Sequence, residues 1–104
     1  GYGPGFFRVG GQVMEGAILV TEQGAKPWGG LEDAATLLAL AGQVDVVFIG
    51  TGGEIAPLPA GLRSELEAAG IGAEIMASDA ACRTYNVLLS EGRRVAAALL
   101  PVGG

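Results

Sequence analysis

Two short segments of this sequence contain the residue types that could do chemistry. The first is the glycine-rich loop 50–53, which directly follows the apolar run Val44–Ile49. A glycine loop after a buried strand is typical of dinucleotide-binding sites, where the backbone approaches a pyrophosphate. The match is poor here, because Ile55 occupies the third glycine position and the next helix cannot begin until about Pro59. The spacing therefore disfavours a nucleotide cofactor.

The second segment, residues 78–94, contains Cys82, the one cysteine of the chain. Its predicted place in the first turn of a helix would lower the pKa of the thiol. The chain has no histidine and no second cysteine, so this thiol has neither the usual general base nor a partner for a metal cluster. We therefore interpret Cys82 as a small buried apolar residue. We predict no catalytic residue, no metal and no cofactor, and we favour a protein that is not an enzyme.

A helix over 78–91 would place Tyr85 on the apolar stripe that faces the sheet and Asn86 at the edge of that stripe. A half-buried asparagine needs hydrogen-bond partners, which backbone groups of a neighbouring loop could supply. Two interpretations stay open: Tyr85 and Asn86 hold the glycine loop in place, or they contact a ligand directly. The loops that follow parallel strands lie at one edge of a sheet. We therefore expect both segments to line a single crevice. Its candidate residues are Gly50, Thr51, Gly52, Ser78, Cys82, Tyr85 and Asn86.

These segments belong to an alternation of predicted helices and strands that begins at residue 31. The predicted helices cover 31–41, 59–69 and 78–91, and the predicted strands cover 44–49, 72–76 and 94–100. Strands that alternate with helices of this length pair in parallel through right-handed crossovers. We expect 44–49 to be the central strand, because its β-branched apolar residues are typical of a strand buried on both faces.

The first thirty residues predict a different arrangement. Residues 1–5 predict a poorly ordered lead-in, and a β-hairpin over 6–16 turns at Gly10-Gly11. The run 17–21 either continues the returning strand past a bulge or forms a separate strand. Turn residues fill 22–30, where we interpret Trp28 as a lid over the core. The whole chain, 1–104, thus predicts one three-layer α/β domain: a mixed sheet with an N-terminal β-hairpin followed by alternating helix and strand units.

Composition excludes two classes of interaction. Eleven acidic and six basic residues give a net charge of −5, and a nucleic-acid partner would require a basic face. No apolar run approaches the ~20 residues that a transmembrane helix needs, so we expect a soluble protein without a transmembrane segment. The single cysteine indicates a reducing compartment.

Three segments together resemble a known family. They are the strand 7–9, the strand and loop 47–52, and the helix 81–89 with the Glu91-Gly92-Arg93 that follows it. The resemblance extends from about Tyr2 to Pro101. The family consists of small single-domain proteins of unassigned biochemical function, domain of unknown function 498/598, from bacteria, archaea and mitochondria. Its mitochondrial members are assembly factors for NADH:ubiquinone oxidoreductase, respiratory complex I.

The resemblance implies a three-layer α/β domain, in agreement with the element pattern. It also implies a non-catalytic role in assembling membrane respiratory machinery, with respiratory-chain subunits or assembly factors as protein partners. The compartment would be the cytoplasm in a bacterium or the mitochondrion in a eukaryote. The alternative function is a small-molecule binder or enzyme that uses the Gly50–Gly53 loop and the helix N-terminus at Ser78. A homodimer is a further alternative, because Phe6, Phe7 and Trp28 lie near predicted loops.

Overall fold

The computed structural model describes residues 2–3, 5–9 and 11–102 of the chain. Within these residues it contains eight strands and three helices. The strands are β1 (Tyr2–Gly3), β2 (Phe6–Val9), β3 (Gln12–Glu15), β4 (Ile18–Thr21), β5 (Gly24–Pro27), β6 (Val46–Thr51), β7 (Gly72–Met76) and β8 (Val95–Leu100). The helices are α1 (Ala34–Leu38), α2 (Leu62–Ala68) and α3 (Ser78–Ser90).

Five strands form the main sheet, in the order β5-β4-β8-β6-β7. Strands β6, β7 and β8 are parallel, whereas β4 runs antiparallel to both β5 and β8. The prediction of a mixed α/β sheet is therefore confirmed. The strand at the centre is β8 rather than β6, although β6 also has a neighbour on each side.

Side chains of the main sheet alternate between two buried layers. Val47 and Ile49 face one core, which α1 and α2 cover. Phe48, between them in the sequence, faces the other core, which α3 covers together with Phe7 from β2. Alternation of this kind follows from the two-residue period of a strand. The result is a three-layer arrangement with helices on both faces of the sheet.

The opening hairpin is present but does not belong to the main sheet. Val9 pairs with Gln12, so two residues connect β2 to β3 as predicted; of these, Gly10 lies outside the described residues. The hairpin joins β1 in a separate antiparallel sheet of three strands. The main sheet is mixed because of β4, a separate strand and not a continuation of β3. The prediction that the opening hairpin makes the sheet mixed is wrong.

Two predictions for the first thirty residues are also wrong. Residues 2–3 were expected in a poorly ordered lead-in but form β1, which pairs with β2; Gly1 and Pro4, in the same predicted lead-in, lie outside the described residues. Residues 24–27 were expected as turn and form β5, which pairs with β4 over its whole length. The segment Gly24–Pro27 has little β propensity, so this strand forms because β4 presents a complementary edge.

Trp28, which we interpreted as a lid, belongs to the first core. It is buried, and its indole Nε1 donates a hydrogen bond to the backbone carbonyl of Asp33 at 3.1 Å. The Asp33 carboxylate accepts hydrogen bonds from the Thr36 hydroxyl at 2.6 Å and from the Thr36 backbone N–H at 3.2 Å. Asp33 therefore caps α1, which begins three residues later than predicted and also ends earlier, at Leu38.

Candidate functional site

Ser78, the first residue of α3, joins three segments of the chain. Its hydroxyl donates a hydrogen bond to the Leu100 carbonyl at 2.6 Å and accepts one from the Gly52 N–H at 2.9 Å. The Ser78 N–H in turn donates to the Gly52 carbonyl at 2.7 Å. The side chain is completely buried. Ser78 was predicted as a crevice residue, and the structure places it in a junction between the β6 loop, α3 and the end of β8.

Gly50 and Gly52 allow the chain to come this close to Ser78. A β-carbon at residue 50 would lie 2.7 Å from Ser78 Cα and 3.0 Å from a methyl carbon of Leu99. Gly52 has a φ of +95°, a conformation that other residues rarely adopt. Both glycines are buried. The junction of Gly50, Gly52 and Ser78 is consequently tightly packed.

Thr51 organises the loop that leaves this junction. Its hydroxyl donates to the Glu54 carbonyl at 2.7 Å and accepts from the Ala56 N–H at 2.9 Å. These two bonds fold the loop back on the end of β6. Ile55 lies between the two bonded residues and is 70% exposed.

Tyr85 and Asn86 lie in a different place from this junction. They line a groove of about 210 Å³ between α3 and β2. The groove has both polar and apolar surface, and Arg8 of β2 and Cys82 of α3 also line it. Its apolar walls come from Phe7, Val9, Ile18, Val20, Ala97 and Leu99. The seven predicted crevice residues thus divide between two locations, the tightly packed junction and this groove, which we call the α3 groove.

Asn86 is exposed, not half-buried as the helix pattern predicted. None of the hydrogen bonds among the described residues involves its side chain. The bonds that hold the glycine loop come from Ser78 and Thr51 instead. The amide of Asn86 therefore faces solvent at the edge of the α3 groove, with its donors and acceptor available to a partner.

Tyr85 is buried under the same groove. Burial raises the pKa of its phenol, and the nearby carboxylate of Glu22 raises it further. The hydroxyl consequently keeps its proton at neutral pH and can both donate and accept a hydrogen bond.

Cys82 is half-buried, and its environment does not activate it. Burial raises the pKa of the thiol above its usual value, and the carboxylate of Asp79 one turn earlier adds to this effect. The opposing effect of Arg83 is smaller. The lowered pKa that the helix position suggested is therefore wrong, and Cys82 packs as the partly buried apolar residue that we preferred.

Sequence reasoning missed the contribution of the N-terminal hairpin. Phe7 is buried and forms one wall of the α3 groove, opposite Tyr85. The signal was present in the pair Phe6-Phe7, since adjacent residues of a strand point to opposite faces. What the sequence did not reveal was that Phe7 of β2 packs on the same face of the main sheet as α3, and that β2 is not part of the main sheet.

The described residues contain no group of three or more histidine, cysteine or acidic side chains that could hold a metal ion. In the same part of the chain, no helix is long and apolar enough to cross a membrane.

Fold and site together define a small three-layer α/β domain with a tightly packed loop junction and a separate groove bordered by an exposed amide. The chain belongs to the family described as Protein of unknown function (DUF498/DUF598), whose family model matches residues 1–100.

Two relatives match nearly the whole chain. An uncharacterised protein of Rhodobacter capsulatus is 59% identical over 104 residues, which are all of this chain and 84% of that protein. In zebrafish, Danio rerio, the NADH dehydrogenase [ubiquinone] 1 alpha subcomplex assembly factor 3 is 32% identical over 107 residues. That match covers 96% of this chain but only 62% of the zebrafish protein.

A solved structure has the same fold. The crystal structure of an outer membrane protein from Bartonella henselae superposes with a TM-score of 0.87 at 38% sequence identity. The match covers 98% of this chain and 92% of the other.

Proposed function

We propose that this protein is a non-catalytic assembly factor that binds another protein through the α3 groove. The observation that carries the proposal is the similarity to the zebrafish complex I assembly factor over 96% of this chain. Respiratory-chain subunits or other assembly factors are the partners that this similarity suggests. The proposed compartment is the cytoplasm in a bacterium and the mitochondrion in a eukaryote.

The α3 groove has the physical character of a protein-docking site. Six apolar side chains line it together with Arg8, and the exposed Asn86 amide lies beside Val87, whose side chain is 55% exposed. A partner side chain that enters the groove would bury apolar surface and could satisfy the Asn86 amide at the same time. Sites of strong binding combine these two features, a desolvated centre and hydrogen-bonding groups around it.

The test is affinity capture from membranes of the source organism after mild crosslinking. In the variant Asn86→Arg, a long charged side chain stands at the border of the groove, where no hydrogen bond of the native fold is lost. The matched control is Ser64→Arg, which adds the same charge at an exposed position of α2 on the other face of the main sheet. We expect respiratory-complex subunits to be captured by wild type and Ser64→Arg and to be lost with Asn86→Arg.

Two results would contradict the proposal. One is equal capture by Asn86→Arg and Ser64→Arg, which would place binding elsewhere. The other is the absence of respiratory-chain subunits and assembly factors from the wild-type sample. Thermal unfolding of both variants beforehand ensures that a loss of capture does not reflect a loss of folding.

The alternative, a small molecule bound at the Gly50–Gly53 loop and the N-terminus of α3, has less support. Two of the groups that a ligand there could use, the Gly52 N–H and the Ser78 hydroxyl, are hydrogen-bonded to each other at 2.9 Å. Mass spectrometry of the gently purified protein tests this alternative, since a stoichiometric small molecule would favour it.

A further inference from the structure

The edge strands of the two sheets differ in how they are kept from pairing with another strand. An edge strand exposes unpaired N–H and C=O groups, and proteins usually block such edges because another strand can pair with them. Three of the four edges in the described residues, β5, β7 and β3, can be compared; the fourth, β1, is only two residues long.

The edge at β5 is blocked by a proline. Trp28 donates its N–H to the Ala17 carbonyl at 3.0 Å, so this pair is hydrogen-bonded and the next pair along, Ile18 with Pro27, is not. Two residues of β5 thus have outward-facing backbone groups, Ala25 and Pro27, and Pro27 has no N–H to donate. A proline at this place removes a hydrogen bond that a further strand would need, and so disfavours its pairing.

The edge at β7 is blocked by an arginine. Gly72 donates its N–H to the Asp45 carbonyl at 2.8 Å, so Gly72 faces β6 and the adjacent Ala73 faces outward. Arg63 of α2 donates from Nη1 to the Ala73 carbonyl at 2.7 Å. The side chain therefore already occupies a backbone acceptor that an added strand would need.

In the part of the chain that the structure describes, the edge at β3 has neither a proline nor a side chain bonded to its backbone. Gly16 donates its N–H to the Gly5 carbonyl at 3.2 Å. In the antiparallel register of β2 and β3, bonded pairs alternate with unbonded ones, so the backbone groups of Val13 and Glu15 face away from β2. Both residues are exposed, Val13 to 54%. No further strand pairs with β3 among the described residues.

We propose that the open edge of β3 binds an extended, basic segment of a partner protein by strand addition. The backbone groups of Val13 and Glu15 would supply the hydrogen bonds. Glu15 favours a lysine or arginine beside it, because opposite charges on directly neighbouring strands are stabilising. Exposed Val13 favours an apolar or β-branched residue two positions away on the same face.

Charge also argues for a partner of a different kind over a second copy of this chain. The net charge of −5 makes two copies repel and attracts a basic segment. In one register of a pair of β3 strands, the two Glu15 carboxylates would lie directly opposite each other, an unfavourable arrangement. A basic segment meets no such repulsion.

The test uses amide hydrogen exchange, followed by NMR on the intact chain. The probe is the peptide acetyl-Thr-Lys-Thr-Val-Thr-Lys-Thr-amide, which offers lysine and valine two positions apart in either strand direction. We expect exchange at the Val13 and Glu15 amides to slow roughly tenfold when nine-tenths of the protein is bound, since exchange then proceeds from the free tenth. A peptide with glutamate in place of both lysines should produce no slowing.

A pair of variants tests the backbone contact itself. Val13→Pro removes an outward N–H without removing a bond to β2, so the hairpin should stay folded and the peptide should no longer slow exchange at Glu15. Val13→Thr keeps both the N–H and the β-branched shape, and should behave like wild type. Equal slowing with Val13→Pro, or no slowing in wild type, would overturn the proposal.

Two further outcomes would also overturn it. If the glutamate peptide slows exchange as well as the lysine peptide does, the partner is not selected by charge. If both amides are already protected without peptide and lose protection on dilution, the edge is occupied by a second copy.

The inference rests on the proposed protein-binding function but concerns a different surface. Failure of strand addition together with capture that depends on Asn86 would remove this inference and leave the proposed function intact. If capture does not depend on Asn86 but the peptide still binds at β3, the proposed function fails and this inference stands.

Discussion

Gly50 lies against Ser78 so closely that there is no room for a side chain between them. A β-carbon at residue 50 would stand 2.7 Å from Ser78 Cα and 2.8 Å from its hydroxyl oxygen. Both atoms belong to a residue that hydrogen bonds hold on two sides. The contact therefore cannot be relieved by rotating a flexible side chain.

We expect Gly50→Ala to lower the free energy of unfolding by about 3 kcal/mol, at the upper end of the usual cost of overpacking. Urea denaturation monitored by circular dichroism measures this change. The control is Gly53→Ala, where the new β-carbon would lie an ordinary 3.7 Å from Val102 and the expected change is within ~0.5 kcal/mol. Equal stability of both variants would show that the junction can open.

Removal of the Ser78 hydroxyl should also destabilise the fold. Ser78→Ala leaves the Gly52 N–H and the Leu100 carbonyl without their shared partner. A buried polar group without a hydrogen bond costs about 1–3 kcal/mol, so we expect a loss of roughly 3 kcal/mol in denaturant unfolding. Ser64→Ala, at an exposed position of α2, should change stability by less than ~0.5 kcal/mol. A similar small effect at Ser78 would mean that water replaces the hydroxyl.

Asp33 should make the stability depend on pH in the acid range. The hydroxyl of Thr36, and then the backbone N–H groups of Gly29 and Thr36, lower the pKa of its carboxyl in the folded state. The unfolded chain therefore binds the proton more readily, and stability rises with pH through this range. The contribution is fully present above the unfolded pKa of about 4 and is lost as the pH falls through the lower folded value.

Thermal unfolding between pH 2 and 7 tests the role of Asp33. In Asp33→Asn, the fall in melting temperature toward low pH should be smaller than in wild type, and the melting temperature at pH 7 should be lower. Glu32→Gln, at the exposed neighbouring position, should follow the wild-type profile. Identical profiles for Asp33→Asn and wild type would contradict the prediction.

Cys82 should react slowly with alkylating reagents. Burial, followed by the effect of the Asp79 carboxylate, raises the pKa of the thiol, so little thiolate is present at pH 7.5. We expect iodoacetamide to modify native Cys82 several times more slowly than the same thiol in urea. A cysteine introduced by Ser90→Cys in a Cys82→Ala background, at an exposed position of the same helix, should react quickly. Fast native labelling of Cys82 would reopen the question of a nucleophile.

The parallel half of the sheet was predictable from the sequence. Strand β7 has the predicted bounds, and β6 and β8 differ from their predicted bounds by one or two residues at their ends. These strands can be predicted from the local sequence, because each is an apolar run close to a glycine that interrupts it. Strand β5 is different, because the sequence Gly24–Pro27 becomes a strand only when β4 pairs with it, and pairing is not visible in a local pattern.

The candidate site shows the same division. The sequence placed Gly50, Gly52 and Ser78 together, because parallel strands bring their following loops to one edge. It did not show that Ser78 would also bond to Leu100, 22 residues away. It also did not separate Tyr85 and Asn86 from this junction, since the groove that they line depends on where the N-terminal hairpin packs.

The position of β8 has a consequence for synthesis on the ribosome. Strand β8 is the last strand of the described chain, yet it lies at the centre of the main sheet and holds β4 to β6. Until it emerges, the nascent chain has a β4–β5 hairpin and a β6–β7 pair with nothing to join them, and both leave unpaired strands exposed. Strand pairing across such sequence separations is slow, and exposed edges promote aggregation. The growing chain should therefore need protection by chaperones until β8 has emerged.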